Sequence, residues 1–184
     1  MAMQTDARAL MQAGIAHHQA GRLAEAEACY LEVIAGIPQH PDALHMLGLL
    51  AYHRGQHQAS VDLISEAARI TPRHAPCQLN LGNSFRALGQ YAHAVACYHR
   101  ALGINPDLAD AHLNLGNLLQ EQGQFADALC SHRRALELRP DHAEGHYNLG
   151  NILLVMDQVD AAADSYRRAL ALRPFDLRPV ENAA

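Results

Sequence analysis

The block Asn-Leu-Gly-Asn occurs three times, at Asn80–Asn83, Asn114–Asn117 and Asn148–Asn151, each copy 34 residues after the last. A fixed period of this length marks a repeated unit that cannot bury its own apolar face and must stack on its neighbours. Rows of 34 from Ala7 give five repeats, 7–40, 41–74, 75–108, 109–142 and 143–176, between tails at 1–6 and 177–184. Column eight is glycine in every row: Gly14, Gly48, Gly82, Gly116 and Gly150. Column thirty-two is proline in every row: Pro38, Pro72, Pro106, Pro140 and Pro174. Column fifteen is Gly21, Gly55, Gly89 and Gly123, with Asp157 in the last row.

Each column has a physical role. Segments on both sides of column fifteen, such as "ADAHLNLGNLLQEQ" and "FADALCSHRRALEL", carry apolar residues at helical spacing. Glycine between them suits a helix C-cap and tight turn, so each row predicts a helical hairpin. Proline at column thirty-two stops the second helix. A glycine inside the first helix costs about 1 kcal/mol relative to alanine. Its recurrence at column eight predicts a close approach, with the small residues of columns twenty and twenty-seven as the expected neighbours. Larger residues at columns seven, eleven and twenty-four, such as Leu81, Phe85 and Tyr98, are expected to fill the space between.

The pattern resembles the tetratricopeptide repeat family, whose spacing reads aromatic-x-x-Leu-Gly-x-x-Tyr, then Ala-x-x-x-Phe, then Ala and Pro. The likeness spans residues 7–176. It departs at column four, which holds Leu10, Leu44, Gln78, His112 and His146, and at column twenty-four, where His132 replaces an aromatic. The resemblance implies an all-α, right-handed superhelical solenoid of five helix-turn-helix repeats. It also implies that columns six and nine of the first helices line a concave groove.

Those two columns are three apart and share a helix face. They hold Asn80 and Asn83, Asn114 and Asn117, and Asn148 and Asn151 in the last three rows. An asparagine amide offers an acceptor and donors that match the C=O and N–H of a peptide. The six asparagines are therefore the expected grip on an extended peptide, with Met46, Leu49 and Tyr52 as an apolar pocket and Arg86 beside them. The ladder and the "NLGN…EQG" wording are similar to the repeats of the O-linked N-acetylglucosamine transferase superhelix. No catalytic domain follows here, so only a substrate-holding groove is implied. Another branch of the family grips chaperone C-terminal carboxylates with basic residues. Column five here is Met11, His45, Leu79, Leu113 and Tyr147, which argues against that clamp.

The net charge of −5 and pI near 6.2 argue against a nucleic-acid partner. All 14 basic residues are arginine. No apolar run is long enough to span a membrane and no signal peptide is evident, so a cytoplasmic location is expected. Cys29, Cys77, Cys97 and Cys130 lack metal-ligand spacing, and the 13 histidines form no His-Glu-x-x-His motif or Cys/His cluster; His53 and His57 are four apart but straddle the turn at Gly55. No nucleophile motif or phosphate loop is present. The expectation is a non-enzymatic adaptor for a protein or peptide, without metal or cofactor. The alternatives are a scaffold that self-assembles into homo-oligomers through its end repeats, or the recognition arm of a glycosyltransferase. Phe175, Leu177 and Val180 are candidates for a partial lid on the last repeat, and His132 for a core member with one hydrogen bond.

Overall fold

The computed structural model describes residues 2–173, with side chains from residue 6 onward. The segment proposed as a lid lies outside the described residues. Among these, ten α-helices form five hairpins and there is no strand. The chain divides into two compact units, Met1–Ile104 and Asn105–Ala184. The first unit holds α1 (Ala2–Gln19), α2 (Leu23–Gly36), α3 (Pro41–His53), α4 (His57–Ile70), α5 (Ala75–Ala87) and α6 (Tyr91–Ile104). The second holds α7 (Ala109–Glu121), α8 (Phe125–Leu138), α9 (Ala143–Val155) and α10 (Val159–Leu172). Helix α1 begins inside the segment read as an N-terminal tail.

The hairpin turns follow the column-fifteen glycines, which adopt φ between 72° and 74°. Asp157 takes the same left-handed turn at φ 59°, a conformation that short polar side chains tolerate better than most. The helices α2, α4, α6 and α8 each end two residues before their column-thirty-two proline. Pro41 and Pro76 occupy the first turns of α3 and α5, where a missing N–H costs nothing.

The column-eight glycine faces a different neighbour from the one expected. A Cβ on Gly82 would lie 2.5 Å from Tyr98 Cε1, and one on Gly48 would lie 2.4 Å from Ile64 Cγ1. Gly14 meets Tyr30, Gly116 meets His132 and Gly150 meets Tyr166 in the same way. The glycine thus makes room for the column-twenty-four side chain, not for the alanines of columns twenty and twenty-seven. Those alanines are buried in their own right: Ala26, Ala94, Ala128 and Ala162 at column twenty, and Ala67, Ala101, Ala135 and Ala169 at column twenty-seven.

In the first unit, Tyr30, Val33, Leu47 and Leu50 centre one apolar cluster, and Ile64, Ala67, Cys77 and Leu81 another. The buried hydroxyls of Ser60 and Ser84 meet at 2.8 Å, joining α4 to α5, and Ser84 also donates to the Asn80 carbonyl. In the second unit, His132 is fully buried, but neither ring nitrogen has a hydrogen-bond partner among the described residues. The single hydrogen bond expected for it is absent. Burial, and then the charge of His142, push its pKa down to about 4.

Candidate functional site

Columns two, six, nine and thirteen of a first helix are spaced four, three and four residues apart, so they form one stripe along the helix. On α5 the stripe is Pro76, Asn80, Asn83 and Ala87; on α7 it is Asp110, Asn114, Asn117 and Glu121; on α9 it is Glu144, Asn148, Asn151 and Val155. All six asparagines are half-buried, so each amide is reachable while its neighbours hold it in place.

Hydrogen bonds inside each unit engage five of these amides in a consistent sense. At column six, one of the two Nδ2 hydrogens is engaged: Asn80 donates to His45 Nε2 at 2.9 Å, and Asn148 donates to Asn117 Oδ1 at 2.8 Å. At column nine, the Oδ1 acceptor is engaged: Asn83 accepts from the Tyr98 hydroxyl at 2.9 Å, Asn151 from the Tyr166 hydroxyl at 2.8 Å, and Asn117 from Asn148. Column six therefore keeps the Oδ1 acceptor of Asn80 and Asn148 available. Asn117 and Asn151 keep an N–H donor. In the fourth repeat His132 stands where a tyrosine would hold Asn117, and Asn117 takes its donor from α9 instead.

His45 is buried on α3 and stacks edge-on against His74, with ring centroids 5.6 Å apart. Because it accepts from Asn80, its Nε2 carries no proton and the ring is neutral. Burial first, and then the neighbouring His74, lower its pKa to about 4, against a smaller opposing effect of Asp42.

The other expected residues are spread over the first unit. Met46 packs against the first apolar cluster and Leu49 is half-buried on the same helix. Tyr52 lies between the rings of His53 and His57, with centroids 6.0 and 5.2 Å away. Arg86 is half-buried on the last turn of α5.

The structure adds groups that the search for asparagines passed over. Asp110, His142 and Glu144 join Asn114, Asn117 and Asn148 around a polar pocket of about 120 Å³. Arg139 takes one Asp110 oxygen at 2.8 Å. His142 caps α9 by accepting the Gly145 N–H through Nδ1, as His40 caps α3 by accepting from Ala43. His146 bonds the Pro140 carbonyl through Nε2 at 2.8 Å, and His112 does the same with Pro106 at 2.9 Å, so these column-four imidazoles tie each link to the next helix. The signal for Asp110 and Glu144 was present at column two, one helical turn before the first asparagine. Among the described residues, no helix is long and apolar enough to cross a membrane.

No curated protein matches the chain significantly. Solved structures give the fold. PilF of Pseudomonas aeruginosa superposes with a TM-score of 0.85 at 17% identity, over 93% of this chain and 78% of that one. MamA from Desulfovibrio magneticus RS-1 gives 0.80 at 19% identity, over 94% and 98%. YrrB, described as a TPR protein with an unusual peptide-binding site, gives 0.73 at 20% identity, over 91% and 86%. A TPR repeat family model matches residues 82–123, and a tetratricopeptide repeat model matches residues 12–75 and 113–176. With its helical hairpins, turn glycines and these matches together, the chain belongs to the tetratricopeptide repeat family.

Proposed function

We propose that the chain is a non-enzymatic, cytoplasmic interaction module that holds an extended peptide of a protein partner. Asn80, Asn83, Asn114, Asn117, Asn148 and Asn151 supply the contacts to its backbone, with Met46, Leu49, Tyr52 and Arg86 as flanking contacts. The observation that carries this reading is the fixed sense of the amides, with column-six acceptors suited to peptide N–H groups and column-nine donors suited to peptide C=O groups. Hydrogen bonds to a backbone are blind to side-chain identity, so such a surface supplies affinity while other residues supply selectivity.

The test uses a peptide selected from a random library against the full chain. Asn80→Ala and Asn148→Ala should each weaken its binding by about fivefold, the worth of one hydrogen bond near 1 kcal/mol. The melting temperature should fall by only about 2–4 °C, the cost of the internal hydrogen bond to His45 or Asn117 that each variant also loses. A large fall in melting temperature with binding intact would assign the amides to structure and remove this reading.

A second reading, assembly through the last hairpin, is favoured by a groove of about 640 Å³ between α8, α9 and α10, lined by Leu136, Leu149, Leu153 and Leu172. Sedimentation velocity decides it. A mass that grows with concentration and reverts in Leu172→Asp supports a scaffold, and a constant monomer mass removes it. A role as a glycosyltransferase arm rests on the sequence resemblance alone.

A further inference from the structure

We infer that the α9 stripe, with the polar pocket it shares with α7, selects an extended peptide in which basic and apolar side chains alternate. The inference rests on the peptide-binding reading and adds its selectivity. The stripe from Glu144 through Asn148 and Asn151 to Val155 spans eleven residue steps of α9, or about 16 Å. A backbone held over the two central amides has each end of the stripe about 8 Å to one side. Successive side chains of an extended chain point to opposite sides. One set therefore reaches the start of α9 and the other set reaches its end.

The two ends differ in chemistry. At the start, Asp110 and Glu144 border the same polar pocket as Asn114, Asn117 and Asn148. Arg139 engages only one Asp110 oxygen, and Glu144 is exposed. His142 turns its Nδ1 to the Gly145 N–H and away from these carboxylates, with which it forms no ion pair among the described residues. A lysine or arginine of the guest has the length and charge for this end. At the other end of α9, Leu154 and Val155 remain 52% and 61% exposed, and Val159 at the start of α10 is 55% exposed, whereas the same place on α7 holds Glu121, so the aliphatic end belongs to α9. Leucine, isoleucine or valine of the guest would cover it. An acidic guest meets like charge at one end, and a uniformly basic one leaves the aliphatic end wet.

The experiment selects a random library of linear peptides against the full chain, against Glu144→Lys and against the double variant Leu154→Ser/Val155→Ser. All three positions are exposed, and circular dichroism confirms the fold of each variant. The wild-type pool should carry lysine or arginine at alternate positions with aliphatic residues between them, each enriched about fivefold over the input, as expected for about 1 kcal/mol per contact. Glu144→Lys should erase the basic enrichment and keep the aliphatic one, and the double variant should do the reverse. Peptides without alternation, or enrichments unchanged by the variants, overturn this inference and leave the peptide-binding reading standing. Failure to select any peptide overturns both.

Discussion

His132 shows how one buried side chain governs a neighbouring surface group. Tyr98 and Tyr166 fill the same column, and their hydroxyls hold Asn83 and Asn151. The imidazole fits beneath Gly116 as the tyrosine rings fit beneath Gly82 and Gly150, but it leaves two nitrogens without partners among the described residues. His132→Tyr should therefore supply a hydroxyl to Asn117 and remove the unsatisfied groups. A gain of about 1 kcal/mol raises the melting temperature by about 2–4 °C in a chain of this size. Thermal unfolding followed by circular dichroism measures it, and a lower melting temperature would show that the fourth hairpin has no room for the larger ring.

Within the helices, two glycines make opposite predictions. Gly82→Ala places a methyl 2.5 Å from a rigid tyrosine ring whose hydroxyl is already bound, so the ring or the helix must shift. Overpacking of this kind costs about 1–3 kcal/mol, more than the helix propensity that alanine adds. Gly103, in α6, has nothing within 4 Å of a Cβ. Gly103→Ala should stabilise by up to about 1 kcal/mol. Denaturant titration of both variants checks the pair, and equal effects would contradict the packing described. Columns fifteen and thirty-two could be read from the chain because a left-handed turn favours glycine and a helix stop favours proline, and column eight because a recurring mid-helix glycine signals a close contact. The neighbour of the column-eight glycine could not, since periodicity tells which residues share a face but not which residue faces them across the hairpin. The asparagines were legible by spacing, whereas the atom each one spends depended on Tyr98, Tyr166, His45 and the break at His132.

Across the whole molecule, buried imidazoles make stability depend on acidity. His45 and His132 have folded-state pKa values near 4, below the ordinary 6.5, because burial disfavours their charged forms. The unfolded chain takes up these protons first, so the stabilisation is complete above about pH 6.5 and is lost as pH falls towards 4. Each ring contributes at most about 3 kcal/mol over that interval. Melting temperatures measured from pH 7 to 4.5 should decline, and His132→Tyr should make the decline shallower. A flat profile would mean that water reaches both rings. At the surface, the tyrosine tethers carry a different consequence. A peptide held as proposed would feel the free half of an amide, yet the choice of that half is made by a ring on the other helix of the hairpin. Exchanging tyrosine for histidine in the interior can thus retune recognition at a place no guest ever contacts.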